Sequence, residues 1–257
     1  MKNLIAKIKN FAIELLFPKF CLVCGKEGSY LCQDCFSLIE ISENQYCPFC
    51  SSPKIVADGR TCPSCRPAKN LDGLYSATSY NNYIIKSLIH QFKYSYVKEL
   101  ADSLSDLIIA HLINLNLVET ISDNKNKTNG IFGQGLIKNK KLNGFILTPI
   151  PLHQKKLRRR GFNQSEELAK SLSKKLNIPA INILTKIRQT PNQVDLTKEE
   201  REKNIRNAFI CRRTGLKSKK VLLVDDVFTT GSTMEEAAKT LKNSDVKEVW
   251  GIVIARG

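Results

Sequence analysis

The segment that decides the fold is residues 221–233, which have the sequence VLLVDDVFTTGST. Its first four residues are apolar, and such a run predicts a strand that is buried on both faces. Two carboxylates, Asp225 and Asp226, follow at the carboxyl end of that strand, where open α/β sheets bind their ligands. A turn of small and hydroxyl-bearing residues then leads directly into a helix that we predict at 232–243. The segment therefore predicts a strand, a ligand-binding turn and a helix in direct succession.

The turn has the features of an anion site. Its small residues allow several backbone N–H groups to point at one anion, and the start of the next helix adds the positive end of its dipole. The candidate residues are Thr229, Thr230, Gly231, Ser232 and Thr233. The two acids beside the turn would repel a bare phosphate, but carboxylates accept hydrogen bonds from sugar hydroxyls. We therefore predict a site for a ribose 5-phosphate, against the alternative of an ordinary strand–helix turn with surface acids.

Residues 221–233 closely resemble the thirteen-residue signature for 5-phosphoribosyl-1-diphosphate (PRPP) in type I phosphoribosyltransferases. The resemblance implies that Asp225 and Asp226 hold the ribose 2- and 3-hydroxyls and carry any catalytic role. It also implies that residues 229–233 surround the 5-phosphate and that Mg²⁺ bridges the ribose hydroxyls and the diphosphate. Thr229 stands where enzymes that salvage 6-oxopurines usually carry an aspartate. This departure counts against hypoxanthine–guanine salvage and leaves a pyrimidine or another acceptor open.

Strand and helix patterns alternate over most of the chain. We predict strands at 73–80, 145–150, 180–184, 219–225 and 247–254, and helices at 81–93, 97–117, 163–176 and 232–243. This alternation predicts an α/β fold with a parallel sheet and helices on its faces, and the resemblance specifies the sheet of a type I phosphoribosyltransferase. Residues 119–143 are dominated by polar residues and glycine, and we predict a mobile loop inserted in one domain.

A basic segment, residues 149–164 (PIPLHQKKLRRRGFNQ), follows the second predicted strand. The diphosphate of PRPP requires a second cationic or N–H-rich site that faces the first. We predict that a loop here supplies it, through the backbone of Leu152 and His153 and the side chains of Arg158 and Arg160. The alternative is a basic loop that faces solvent.

Two further segments are candidates for the same site. Lys93 lies near a predicted helix end, from which its ammonium group could reach a phosphate. By the resemblance, residues 188–209 occupy the place of the family's flexible catalytic loop. Thr197 followed by Glu200 predicts the start of a short helix there, because the pair forms a capping box.

Eight of the nine cysteines form four C-x-x-C pairs, and Cys211 stands alone. Two such pairs make a closed tetrahedral zinc site, so we predict two structural zinc ions. Sequential pairing needs only short loops and is therefore favoured. It gives one site of Cys21, Cys24, Cys32 and Cys35 and another of Cys47, Cys50, Cys62 and Cys65. Cross-braced pairing and iron–sulfur binding are the alternatives.

The composition is strongly basic, with 40 Lys and Arg against 24 Asp and Glu and a net charge of +16. This surplus favours polyanionic partners such as nucleic acid, acidic membranes or phosphorylated small molecules. No apolar run approaches the roughly 20 residues that span a bilayer, so no transmembrane segment is expected. Charges interrupt residues 1–20, which argues against a secretory signal and for a cytoplasmic protein with reduced thiols. A helix predicted at 3–17 has an apolar face for packing or, as the alternative, membrane attachment.

A double zinc ribbon before a domain with the PRPP signature resembles the ComF family of competence proteins. The matching segments are FPKFCLVCG, PIPLH…RRRGFNQ, RQT…AF and VDDVFTTGST. We divide the chain into an N-terminal amphipathic helix (1–20), a double zinc ribbon (21–68) and a phosphoribosyltransferase-like domain (69–257).

The resemblance implies a cytoplasmic role in natural transformation, with single-stranded DNA and proteins of the competence machinery as partners. Aromatic side chains that could stack on bases are Phe20, Tyr46, Phe49, Tyr94 and Tyr96, although each could instead serve packing. Two other functions stay open at this stage. One is an active phosphoribosyltransferase with an unidentified nitrogenous acceptor, and the other is a regulator that senses PRPP without turnover.

Overall fold

The computed structural model describes residues 18–95, 97–121, 136–190 and 198–257. The chain divides into two compact units, residues 1–40 and residues 41–257. The helix predicted at 3–17 lies outside the described residues. The predicted zinc ribbon 21–68 spans the division between the two units, so its halves are described separately below.

The described part of the first unit is built around the first cysteine cluster, which consists of Cys21, Cys24, Cys32 and Cys35. A tight turn follows Cys21, whose carbonyl accepts a hydrogen bond from Gly25 N over 2.8 Å. The short helix α1 (Gln33–Ser37) begins after Cys32, whose thiol accepts a hydrogen bond from the Cys35 backbone. Among the described residues of this unit, the buried apolar residues other than the cysteines are Leu31, Phe36 and Ile39. A core made of these residues alone would need a bound metal for a stable fold.

The second unit contains eight strands, six α-helices and two short 3-10 helices, Ala57–Gly59 and Arg66–Ala68, in its described part. The strands are β1 (Gly73–Ser79), β2 (Val118–Ile121), β3 (Leu136–Asn139), β4 (Phe145–Pro149), β5 (Leu184–Lys186), β6 (Phe209–Cys211), β7 (Lys220–Phe228) and β8 (Glu248–Arg256). The helices are α2 (Tyr83–Tyr94), α3 (Leu100–Asn114), α4 (Gln154–Arg160), α5 (Gln164–Leu176), α6 (Lys198–Ile205) and α7 (Ser232–Lys242).

The central sheet has the strand order β1-β8-β7-β4, and all of its pairs are parallel. Alternate residues of β7, Val221 and Leu223, pack with the apolar face of α7. Leu222 and Val224 are also fully buried and point to the opposite face, because side chains alternate along a strand. Helices α3 and α5 pack on each other and contact the sheet. The predicted α/β fold with a parallel sheet is confirmed.

The basic segment after β4 differs from the prediction, which was a loop. Residues 154–160 form helix α4, because lysine, arginine, glutamine and leucine are all good helix formers. His153 caps the helix start by accepting a hydrogen bond from Lys155 N, and Gly161 ends the helix with a φ of 78°. The loop prediction was wrong because these seven residues carry no periodic apolar face to indicate a helix.

The polar loop predicted at 119–143 and the strand predicted at 180–184 differ from the structure. The ends of the segment predicted as a loop pair as antiparallel strands β2 and β3, whereas residues 122–135 lie outside the described residues. The strand predicted at 180–184 is reduced to a single bridge between Ala180 and Leu147. The chain then turns into β5, which pairs with β6 in an antiparallel ladder away from the central sheet. The short helix predicted after Thr197 is α6, although Thr197 itself is outside the described residues.

The second cysteine cluster, Cys47, Cys50, Cys62 and Cys65, belongs to the same compact unit as the sheet. Backbone hydrogen bonds join the segment before it to β1, from Ser42 N to Ala77 O over 2.8 Å. The Gln45 amide lies 2.9 Å from Nε2 of His111, a fully buried residue of α3. The other ring nitrogen of His111 lies 2.7 Å from Ser42 O. This cluster is therefore anchored on the domain that follows it.

Candidate functional site

The carboxyl end of β7 brings the two predicted acids to one edge of the sheet. Asp226 is buried, and its Oδ2 lies 2.8 Å from Nζ of Lys93 at the end of α2. Asp225 accepts hydrogen bonds from Ser165 Oγ over 2.8 Å and from the Asp226 backbone N–H over 3.0 Å. The two acids are thus held by different helices, yet both line one cavity.

The electrostatics of this pair differ from those of surface carboxylates. Burial, and then the adjacent charge of Asp226, raise the pKa of Asp225 to about 7. Burial alone would lower the pKa of Lys93, but the charge and hydrogen bond of Asp226 outweigh burial and raise it. Near neutral pH, Asp225 therefore changes charge readily, while Lys93 stays a cation.

The TTGST turn, residues 229–233, connects β7 to α7. Gly231 precedes the helix with a φ of 77°, a conformation that other residues rarely adopt. A Cβ added at Gly231 would lie 2.4 Å from the Phe228 ring, so the close approach also requires glycine. Thr230 Oγ1 lies 3.0 Å from Ser232 Oγ and accepts a bond from Ser232 N over 3.4 Å. The turn thus joins hydroxyls to the N-terminus of an eleven-residue helix, which is an anion-binding arrangement.

One cavity of about 420 Å³ lies at this edge, and we call it the sheet-end cavity. Its lining includes Asp225, Asp226 and the whole TTGST turn. Among the described residues, the cations that line it are Lys93, Lys156, Arg160, Lys186 and Arg201. Five cations against two acids favour an anionic ligand, and the volume lies within the ~300–1,000 Å³ typical of ligand pockets. A second cavity, of about 450 Å³, lies beside β6 and α7 and contains none of the predicted site residues.

The residues predicted for the diphosphate divide into two groups. Leu152 and Arg160 line the sheet-end cavity. His153 and Arg158 are not among the lining residues, since His153 caps α4 and Arg158 is an exposed residue of that helix. Arg160 donates to Gln164 Oε1 over 2.7 Å, which fixes its guanidinium at the cavity. Only one side of helix α4 faces the cavity, which explains why some of the predicted residues line it and others do not.

Three lining cations, described below, were not among the predicted site residues. Lys156 lies one turn before Arg160 on the same side of α4, and this i, i+4 spacing would have indicated it had the helix been predicted. Lys186 ends β5, and burial together with the charge of Lys156 lowers its pKa to about 8. Arg201 lies on α6, where its Nη1 is 3.4 Å from Thr229 Oγ1. Arg201 lies within residues 188–209, the segment predicted for this site by resemblance, although the residue itself was not singled out. Lys186 reaches the cavity through tertiary packing, for which a single sequence carries no signal.

The aromatic residues considered for base stacking have different surroundings. Tyr94 is 54% exposed, lines the sheet-end cavity and lies 5.1 Å from the Arg160 guanidinium. Phe20 is 49% exposed in the first unit. Phe49 instead packs against the core of the second unit, and Tyr96 lies outside the described residues.

The eight paired cysteines are grouped as sequential pairing predicts. Within each cluster, all four sulfur atoms lie within 4.8 Å of one another. Individual separations are 3.6 Å for Cys24–Cys32 and for Cys50–Cys62. A tetrahedron of thiolates around zinc, with bonds of about 2.3 Å, requires separations of about 3.8 Å. The two clusters therefore fit two structural zinc ions with no open coordination position.

Comparison with known proteins agrees with this arrangement. A family model described as a double zinc ribbon domain matches residues 12–66, and one described as a phosphoribosyl transferase domain matches residues 163–257. Competence protein F of Haemophilus influenzae is 39% identical over 42% of this chain and 50% of its own length. DNA utilization protein YhgH of Escherichia coli K12 is 31% identical over 65% of both chains. Competence protein ComFC of Bacillus subtilis is 24% identical over 84% of this chain and 79% of its own.

The matched regions thus span about half to two thirds of the first two relatives. The resemblance to competence proteins, together with the combination of zinc ribbon and phosphoribosyltransferase domain, is confirmed by these matches. The search for membrane spans, which covered the described residues, found no helix of the length and apolarity that crossing a bilayer requires.

Proposed function

We propose that this chain, a homologue of the competence proteins F and ComFC with a double zinc ribbon and a phosphoribosyltransferase domain, binds PRPP with Mg²⁺ in the sheet-end cavity. We propose further that it acts in the cytoplasm on single-stranded DNA taken up by the cell. The lining of the sheet-end cavity supports the ligand. The names of the relatives and the basic composition support the role in DNA uptake.

One observation carries the ligand assignment. The TTGST turn, the acid pair and five cations all line the same cavity, although they come from distant parts of the sequence. PRPP combines a phosphate, two ribose hydroxyls and a diphosphate in one molecule. The turn offers N–H and hydroxyl donors for the phosphate, the acids accept from the hydroxyls, and the cations on α4, β5 and α6 balance the diphosphate. Ribose 5-phosphate alone would leave the cations on α4, β5 and α6 without an anionic partner.

The acids also fit a Mg²⁺ ion that accompanies the diphosphate, because hard cations prefer carboxylate and phosphate oxygens. When bound, the ion would neutralise part of the diphosphate charge. The side chains of the protein would bind and orient the remaining groups of the ligand. Asp226 pairs with Lys93 in the absence of ligand. Asp225 would release its proton to solvent as it ionises and would then accept a hydrogen bond from a ribose hydroxyl. Ser165 keeps the Asp225 carboxylate oriented during this exchange.

Calorimetry with PRPP and Mg²⁺ at pH 8, above the pKa of Asp225, tests this assignment. The double variant Asp225→Asn plus Asp226→Asn keeps the shape of both side chains and removes both charges, and we expect it to lose at least about 100-fold in affinity, or roughly 3 kcal/mol. The matched control is Glu166→Gln plus Glu167→Gln, an adjacent acid pair that forms surface ion pairs with Lys170 on α5. PRPP binding that is unchanged in the first variant would refute the assignment.

The DNA part of the proposal rests on separate observations. Relatives are named competence proteins and a DNA utilization protein. The chain has a net charge of +16, and α4 adds the exposed cations Lys155, Arg158 and Arg159 beside the cavity. Single strands bind to basic surfaces with accessible aromatic rings, and Tyr94 is such a ring. Titration of a labelled oligonucleotide at several salt concentrations tests it. A lack of salt-sensitive binding would refute it.

Two other functions share the PRPP site. A phosphoribosyltransferase would release diphosphate from PRPP in the presence of a nitrogenous base, and Thr229 favours an acceptor other than a 6-oxopurine. A regulator would bind PRPP without turnover and change its DNA affinity. Measurement of diphosphate release with and without single-stranded DNA separates the three. Release that depends on a base favours the transferase, whereas altered DNA affinity without release favours the regulator.

A further inference from the structure

The second cysteine cluster contacts the strand that leads into the TTGST turn. Phe49 lies between Cys47 and Cys50, and its ring packs edge-on against Phe228 with 6.2 Å between centroids and 64° between planes. Arg256 Nη2 donates to the carbonyl of Pro48, also between these two cysteines, over 3.3 Å. The first C-x-x-C loop of this cluster is thus fixed to the ends of β7 and β8.

Phe228 connects that loop to the turn. The ring is 2% exposed and has Phe49 on one side and Gly231 on another. The approach to Gly231 is so close that even a methyl group there would overlap the ring, at 2.4 Å. Because the Phe228 ring packs between Phe49 and Gly231, a displacement of Phe49 would change the packing of the ring against Gly231.

A second connection reaches the helix that follows the turn. Glu235, in the first turn of α7, accepts three hydrogen bonds from the segment just after Cys65. The donors are Asn70 N and Asn70 Nδ2, each over 2.7 Å, and Leu71 N over 3.2 Å. Phe49 within the second cluster and Asn70 after it therefore contact the residues on either side of the TTGST turn. Charge-assisted bonds of this kind are stronger than neutral ones, so the start of α7 is held firmly.

We infer that the second cysteine cluster positions the TTGST turn for its anionic ligand, with Phe49 as the positioning residue that transmits metal occupancy to Gly231. This inference rests on the proposed function, because it concerns the affinity of the same cavity. An anion site made of backbone N–H groups works only when those groups are fixed before the ligand arrives. Zinc fixes the Cys47–Cys50 loop, the loop fixes Phe49, and Phe49 limits the movement of Phe228.

The first test uses Phe49→Ala and measures PRPP affinity and zinc content together. We expect a loss of about tenfold in affinity, within the usual range of coupling between sites, with two zinc ions still bound. Phe49→Leu, which keeps an apolar contact with Phe228, should recover much of the loss. Phe20→Ala, which removes an aromatic ring next to the first cluster, is the matched control and should bind like the unmodified chain. Affinity of Phe49→Ala within twofold of the unmodified chain would overturn the inference.

The second test needs no ligand and measures amide hydrogen exchange of residues 228–235. Cys50→Ser should speed exchange in this segment by at least about tenfold, whereas the matched substitution Cys24→Ser should leave it within about twofold. Equal exchange in the two variants would overturn the inference. If the unmodified chain fails to bind PRPP, the proposed function falls. The exchange result still decides whether the cluster holds the turn.

Discussion

The two cysteine clusters repeat one pattern in different surroundings. In each, the third cysteine donates its backbone N–H to the first, from Cys32 to Cys21 and from Cys62 to Cys47, both over 3.4 Å. The first cluster lies in a compact unit with a few buried apolar residues, whereas the second shares a unit with the parallel sheet. Two clusters with the same four cysteine ligands therefore have different structural roles. The first cluster substitutes for a larger core in the described part of its unit, and the second extends the core of the parallel sheet.

The largest expected effect that separates the clusters is on stability. Because a structural zinc site contributes about 10 kcal/mol or more, the loss of one ligand should remove several kcal/mol from the unit that contains it. Trp250, the only tryptophan, is buried in β8 and reports on the sheet by fluorescence. We expect Cys50→Ser to lower the denaturant midpoint of this signal markedly and Cys24→Ser to leave it nearly unchanged. Equal shifts would mean that the clusters are equivalent after all.

A smaller effect tests the contact between the second cluster and the TTGST turn. Gly231→Ala should cost about 1–3 kcal/mol because of its φ of 77°, and the overlap with Phe228 adds to this cost. If Phe49 is what confines Phe228, the same substitution should cost less in a Phe49→Ala background. A double-mutant cycle by urea unfolding should give a coupling of about 1 kcal/mol. Additive costs would show that Phe228 is confined by other neighbours.

A still smaller effect concerns the attachment of the second cluster to α3. Burial lowers the pKa of His111 to about 4, although its bond to Ser42 O acts in the opposite direction. The unfolded chain, with an ordinary histidine pKa near 6.5, therefore binds more protons between these values, and stability falls as the pH decreases through that range. Between pH 8 and pH 5 this histidine should account for about 2 kcal/mol.

The variant His111→Gln provides the control for this prediction. Glutamine retains hydrogen-bonding groups beside Gln45 but does not titrate, so the titration of the cysteines is common to both proteins and cancels. We expect the stability difference between the two to shrink, or reverse in favour of the variant, as the pH falls from 8 to 5. A difference that is constant over this range would show that His111 has an ordinary pKa.

The same comparison shows which parts of the molecule a sequence can predict. The strand predicted at 219–225 corresponds to β7, which the structure extends to Phe228. This strand, the acid pair and the TTGST turn could be predicted because each depends on neighbouring residues. The grouping of cysteines was also predictable, since short loops favour sequential pairing. The different surroundings of the two clusters were not, because the contact of Phe49 with Phe228 joins residues far apart in the chain.

The residues that line the sheet-end cavity also differ in whether the neighbouring sequence or the tertiary packing places them there. Leu152 and Arg160 were predicted to serve it from a segment expected to be a loop, and both line it. Because the segment is helical, the residues that face the cavity are spaced four apart and are not consecutive in sequence. Lys156 and Arg160 therefore line the cavity, whereas His153 and Arg158 do not. Lys186 and Arg201 come from β5 and α6, whose positions depend on the packing of the whole unit.

The smallest expected effect is on the salt dependence of affinity for single-stranded DNA, and it tests which of the two units binds the DNA. On single strands, the log–log dependence of affinity on salt has a slope of about −0.7 per neutralised phosphate. Arg158→Ala plus Arg159→Ala removes two exposed cations of α4 and should flatten the slope by about 1–1.5 units. Because Arg158 does not line the sheet-end cavity and Arg160 is kept, PRPP affinity should be retained. The matched variant is Lys19→Ala plus Lys26→Ala in the first unit, where Lys26 already pairs with Asp34 over 2.8 Å. A larger flattening in this second variant would move the DNA surface to the first unit, and the first cluster would then be the one with a direct part in function.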